Sequence, residues 1–402
     1  MTPERQQPIT RRVLLMRTLG LMALGLAGGR NFLPSVWANQ EGPGAAAEDS
    51  LIVRVARPFD AETRVREFAS WLTPNGRFFV RSHFGPPPEE QIGPAAWRLQ
   101  VGGLVERPLT LSLDDLKQFQ EVTVTAVLQC SGNGRAFFDP KVPGVQWERG
   151  AVGNARWTGV RLADVLKRTG VQASAQHVQL QGADRPISTR VPLFVRSIPL
   201  EKALHPDTLL AYRMNGELLP LLHGAPLRVI TPGWMADACL KWLTTITVSD
   251  EEAKGFYMET AYRYPTRPVE PGTVVSPREM KPVEAMVVKS LIVEPAQGTI
   301  VDRGPIVISG VAWTGEDRRI ARVDVSPDGG RTWQPAQLLG EDLPYAWRQW
   351  QLAWQPKAPG PATLLCRATD DRGQTQPPAS PWNPSGFLWN GVDRVQIDVR
   401  KT

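Results

Sequence analysis

Cys130 ends the β-like run Val122–Gln129 and is followed by Ser131, Gly132, Asn133, Gly134 and Arg135. A thiol at a strand end, with little side-chain bulk after it, stands where loops build sites. The arginine five residues on favours the thiolate, the form that attacks an electrophile or binds a metal. Two readings are open: Cys130 is a ligand or nucleophile, or it is a buried core thiol, the usual fate of a free cysteine. Cys239 and Cys366 are distant in the chain, so three widely spaced thiols indicate no disulfide framework, and no CxxC or Cys/His zinc spacing occurs. HExxH, GxxxxGK[ST] and GxSxG are absent, and Gly42-Pro43-Gly44 follows no strand, so it makes no dinucleotide loop.

The elements that must hold such a site fall into two textures. Residues 70–282 mix short β-like runs (Trp97–Leu104, Val122–Gln129, His177–Gln181, Leu227–Thr231, Trp242–Val248) with helix-like pieces near Leu113–Phe119 and Leu162–Arg168. That is an α+β pattern without regular βαβ alternation. Beyond the Pro- and Gly-rich stretch Tyr264–Pro282, residues 283–402 carry seven short runs: Met286–Val293, Pro305–Trp313, Arg319–Ser326, Trp333–Leu339, Trp347–Trp354, Ala362–Thr369 and Asp393–Val399. Their spacing and the Gly, Pro and Asp between them predict an all-β immunoglobulin-like sandwich. Asp328-Gly329-Gly330 reads as a hairpin turn rather than a binding motif.

At 402 residues the chain has room for two or three domains. Fourteen Trp and 37 Pro point to turn-rich, largely non-helical architecture. The net charge of +6 is 46 bases less 40 acids, but five of those bases and one acid lie in residues 1–38, which leaves 41 against 39, or +2. The body of the chain therefore lacks the clustered excess of bases that a nucleic-acid partner demands. Within residues 1–38, Arg11-Arg12 precedes an uncharged stretch from Thr18 to Gly29 and a small-residue site at Val36-Trp37-Ala38. This predicts a secretory signal of the twin-arginine type and a periplasmic location, and the stretch is too short for a membrane anchor. Export of folded cargo fits a cofactor inserted before translocation. Residues 39–69 read as a flexible N-terminal segment.

The run LQCSGNGR at Leu128–Arg135 resembles the cysteine segment of the sulfite oxidase family of molybdopterin enzymes. Further stretches resemble the family in order: FFVRSHFG at Phe78–Gly85, ARWTGVRLADVL at Ala155–Leu166, AYRMNGELLP at Ala211–Pro220, HGAPLRVITPG at His223–Gly233, LKWL at Leu240–Leu243, and DVSPDGGRTW with AWRQWQLAW in the sandwich. The resemblance implies a molybdopterin-binding catalytic domain over 70–282 and a dimerisation sandwich over 283–402. It implies that Cys130 ligates molybdenum held by a pyranopterin, that His223, Arg228 and Lys241 grip the cofactor phosphate, and that His83 lies near the pterin. Two cations and an imidazole suit a dianion through charge-assisted hydrogen bonds. It further implies that Arg81, Arg135 and Arg348 face a small oxyanion, with Arg348 lent by the second domain, and that Trp147 and Tyr262 complete the pocket wall. Tyr264 competes with Tyr262 for that place.

The implied activity is oxidation of sulfite to sulfate by oxygen-atom transfer. With no CxxCH haem motif in the chain, the expected electron acceptor is a separate c-type cytochrome. The resemblance also implies a homodimer. The alternatives are a sulfane-sulfur dehydrogenase or a sulfoxide reductase of the same family, and, from a different class, an exported binding or adhesion module built on the Trp-rich sandwich.

Overall fold

The computed structural model describes residues 51–93 and 95–400; the expected signal segment and residues 39–50 lie outside them. Among the described residues no helix is long and apolar enough to cross a membrane. The first domain is built on two sheets of five strands each. In one, Glu121–Gln129 pairs antiparallel with Val152–Arg161, which pairs with Leu209–Met214, and the short strands Glu217–Leu218 and Arg228–Ile230 add to the last. In the other the order is Leu109–Leu111, Leu99–Gly103, Leu243–Ser249, His177–Gly182, Val195–Pro199, with Leu243–Ser249 parallel to Leu99–Gly103. The helix Leu162–Thr169 buries Leu162, Val165 and Leu166 in the core shared with both sheets.

Val152–Arg161, the central strand beneath Cys130, carries Gly153 and Gly159 and so lacks the unbroken β-branched pattern that marks a strand in sequence. Gly159 is required by close approach: a Cβ there would press into the backbone of Leu210 and Ala211 on the neighbouring strand.

The second domain is a sandwich of a four-stranded sheet (Lys289–Glu294, Ile306–Trp313, Arg348–Trp354, Gln337–Leu339) and a five-stranded sheet (Ile300–Val301, Asp393–Val399, Gly360–Asp370, Ile320–Ser326, Gln334–Pro335). Each of the seven expected runs contains strand, and Trp333–Leu339 divides between Gln334–Pro335 and Gln337–Leu339 on different sheets. Asp328-Gly329-Gly330 falls in the turn joining the antiparallel strands Ile320–Ser326 and Gln334–Pro335. Val323, Trp350, Leu364 and Val395 form its core.

Within the stretch expected to be flexible, residues 51–69 are folded. Leu51–Val55 and Asp60–Thr63 form an antiparallel hairpin, and Val65–Ala69 is a short 3-10 helix. The polar residues Asp60, Glu62 and Thr63 of the hairpin are buried with partners. Glu62, 1% exposed, accepts from Arg54 and from the Glu148 amide, and the Thr63 amide donates to the Gly150 carbonyl. Ala61 exchanges backbone hydrogen bonds with Val80. This hairpin thus braces the segment Phe78–Gly85 from behind. The linker stretch contains a small hairpin of its own, Arg263–Pro265 against Met280–Pro282.

Candidate active site

The strand Glu121–Gln129 delivers Cys130 into a tight turn. The Cys130 amide donates to the Ala151 carbonyl, the Asn133 amide donates back to the Cys130 carbonyl, and the Arg135 amide donates to Gly132. Gly134 closes the turn at φ 93°, and a side chain there would also meet the Trp389 indole. Cys130 is buried and faces a cavity. Burial pushes its thiol up from the ordinary value, while Arg81 and Arg135 pull it down.

Seven of the ten residues singled out in the sequence line that one cavity: Arg81, His83, Cys130, His223, Arg228, Lys241 and Tyr262. Arg228, on the strand Arg228–Ile230, donates to the carbonyls of His223 (2.7 Å) and Cys239 (3.0 Å) and stacks on Trp157, while its buried Nε has no partner. Lys241 donates to Ser82 Oγ and the Leu222 carbonyl, each at 2.9 Å. Burial first, then Arg228, lowers its pKa to about 7. His223 sits 2.9 Å from the Asn75 carbonyl, which can only accept, so Nε2 carries the hydrogen. Burial lowers its pKa to about 3, which makes it neutral. His83 is likewise driven well down by burial, stacks on Phe194 and shares a hydrogen bond of 3.0 Å with the Tyr262 hydroxyl.

These residues fit a phosphate-bearing pterin that carries a soft metal. Arg228 is buried and bonded only to carbonyls, with its Nε unpartnered, and the part-buried Lys241 donates only to a hydroxyl and a carbonyl, so an anion in the cavity would complete both. A thiolate is the soft ligand that molybdenum chemistry calls for, and Cys130 presents its sulfur to the same space.

Three of the ten residues do not line this cavity. Arg348 does not reach the cavity: it begins the strand Arg348–Trp354, and its guanidinium is satisfied by the Leu339 carbonyl and by Asp342 at 3.1 Å. Trp147 is wholly buried and is not on the wall; its carbonyl accepts from the Ala136 amide, so it backs the Cys130–Arg135 turn. Arg135 acts on the Cys130 thiol electrostatically, but its guanidinium donates to the carbonyls of Val145 (3.1 Å) and Ser385 (3.5 Å) and is not among the lining groups. Of the two competing tyrosines, Tyr262 is in the cavity, whereas Tyr264 lies under Lys281 on the short hairpin.

The second domain does reach the site, through the segment 383–389. The Leu388 amide donates to Ser131, and Phe387 stacks on Tyr262 at 5.5 Å and 5°. The opposite support for Tyr262 is Arg196, 5.3 Å from the ring and ion-paired at 2.7 Å with Asp237, which also accepts from Ser131 Oγ. Arg196, Asp237 and Phe387 carry no recognisable motif, and only the folded chain brings them beside Cys130.

This two-domain arrangement, a cation-lined thiol cavity followed by a sandwich, is that of a molybdopterin oxidoreductase. Residues 83–257 match the family described as oxidoreductase molybdopterin binding domain, and residues 280–400 match the Mo-co oxidoreductase dimerisation domain. The chain is 38% identical over 367 residues to the mitochondrial sulfite oxidase of Rattus norvegicus, covering 87% of this chain and 66% of that protein. It is 33% identical to the sulfite oxidase of Arabidopsis thaliana, covering 87% of this chain and 94% of that one. The solved sulfane dehydrogenase SoxCD of Paracoccus pantotrophus superposes with a TM-score of 0.74 at 27% identity, covering 92% and 95% of the two chains. The chain thus spans about two thirds of the length of the mammalian relatives. It belongs to the sulfite oxidase family, and it is an oxidoreductase with a molybdenum–pterin cofactor.

Proposed function

We propose that this chain oxidises sulfite to sulfate in the periplasm after twin-arginine export, as a homodimer, and hands electrons to a separate c-type cytochrome. Sulfite and water yield sulfate, two electrons and two protons. The observation that carries the reading is the Cys130 thiol sharing a buried cavity with Arg81, Arg228 and Lys241. Bound there, the cofactor supplies two-electron oxygen-atom transfer. Arg228, Lys241 and neutral His223 would hold its phosphate, and the Cys130 sulfur would ligate the metal. Arg81 orients the oxyanion, and the neutral Tyr262–His83 pair holds one proton across 3.0 Å on the cavity wall. The dimerisation-domain match supports the homodimer. A second reading, oxidation of a sulfane sulfur, is favoured by the finding that the second domain sets Phe387, not Arg348, against Tyr262.

Purified holoenzyme assayed with sulfite and ferricyanide or ferricytochrome c, together with metal analysis, tests the proposal. Cys130→Ser is expected to stay folded and to lose sulfite turnover. Near-normal turnover with molybdenum retained would refute Cys130 as the ligand, and turnover of a sulfane substrate with none of sulfite selects the second reading.

A further inference from the structure

Asp60 belongs to the N-terminal hairpin, outside every motif of the site, and is 1% exposed. Its Oδ1 accepts the Ser82 amide at 2.8 Å, and its Oδ2 lies 3.0 Å from Nη1 of Arg81. The same Arg81 nitrogen also donates to the Ser82 carbonyl. Ser82 in turn accepts from Lys241 through its hydroxyl. One carboxylate therefore aims the arginine that lines the cavity and anchors the residue that carries Lys241.

A carboxylate behind a guanidinium also subtracts from its field in front. Arg81 is part-buried, so a counter-charge a few ångströms away is screened less than in bulk water, and this subtraction is felt by any anion in the cavity. Substrate and product of the proposed reaction are both oxyanions. A fully uncompensated Arg81 would bind the product as strongly as the substrate, which lowers KM without raising kcat.

We propose that Asp60 is a positioning and affinity-setting residue: it holds Arg81 in place and offsets its charge so that the oxyanion product is released. This rests on the sulfite reading above. The test is Asp60→Asn in the holoenzyme, which keeps an acceptor for the Ser82 amide and removes the charge. The dissociation constant of inorganic sulfate, measured by calorimetry without turnover, is expected to fall roughly tenfold. KM for sulfite falls with it while kcat does not rise. Asp60→Ser, which also keeps an acceptor without charge, must move the sulfate affinity in the same direction and serves if the first variant folds poorly. Structural damage alone would weaken binding, not tighten it. Sulfate affinities within twofold of the parent, weaker binding, or no binding to any of the three proteins overturns the proposal. Absence of sulfite turnover in the parent enzyme overturns the functional reading instead, and the sulfate comparison still decides the role of Asp60.

Discussion

Lys289 brings an ammonium from the second domain into a fully buried position behind the Cys130 turn. Its hydrogen bond is to the Asn133 carbonyl at 3.4 Å, and its neighbours are the indoles of Trp389 at 4.9 Å and Trp313 at 6.0 Å. Burial lowers its pKa to about 7, against a pull upward from Asp393. Between that value and the ordinary 10.5 the unfolded chain holds a proton that the folded chain has released, so this residue makes stability rise with pH, at up to about 1.4 kcal/mol per pH unit. Below about pH 7 both states hold the proton and the penalty is present in full. Lys289→Met should therefore stabilise the protein most near pH 6–7, with the gain shrinking towards pH 10. Chemical denaturation of both proteins across that range checks this, and a pH-independent difference would show that Lys289 is not titrating there. Lys241 and Lys202 remain in both proteins and cancel in the comparison.

At the scale of elements, the loop 383–389 makes the contact at the site that the resemblance suggests for the strand Arg348–Trp354. AWRQW looks like a segment that lends an arginine, yet a β-strand position beside Gln337–Leu339 gives Arg348 a local carbonyl and a carboxylate, and it stays with them. The loop has no charged residue at all, and its contribution is the flat contact of Phe387 on Tyr262. Tyr262 sits at φ 54°, a conformation that a tyrosine keeps only when its surroundings hold it. Phe387→Ala should lower kcat by about fivefold with a smaller change in KM, because a stacked aromatic neighbour contributes about 1 kcal/mol. Arg348→Gln should leave KM within about twofold, since its ion pair with a half-exposed Asp342 is of the weak surface kind. Steady-state kinetics on the two variants decides the matter, and a large KM effect at Arg348 with none at Phe387 would reverse the assignment.

For the whole molecule, the two domains share a core. Phe68, Val127, Val152 and Met235 of the first pack with Leu291, Val311, Trp313 and Trp347 of the second. Trp347 is central: its indole donates to the Trp71 carbonyl at 2.8 Å, meets Phe68 edge-on at 5.2 Å and lies 6.5 Å from Trp313. Such a core should make the domains melt together. Trp347→Ala is expected to cost about 3–5 kcal/mol and to separate the unfolding into two transitions by calorimetry. Two transitions already present in the parent protein would show that the shared core does not couple the domains. The same core ties down Phe68, so the ordered N-terminal segment belongs to this joint rather than to a tail.

The chain's local patterns determined much of this by themselves. Alternation and turn residues are properties of neighbours in sequence, so the seven sandwich runs were legible, and Cys130 stood out because a strand end followed by small residues is local too. His223, Arg228 and Lys241 were legible only through the compact motifs in which the chain resembles its family. Tertiary structure alone decided which side chains face the cavity. Arg348 and Arg135 have partners elsewhere, and Asp60, Arg196 and Phe387 arrive from segments 66 to 257 residues away from Cys130. Whether a charge serves a site depends on what else can satisfy it, and that is settled only when distant segments compete for the same guanidinium or carboxylate in a space that water has left.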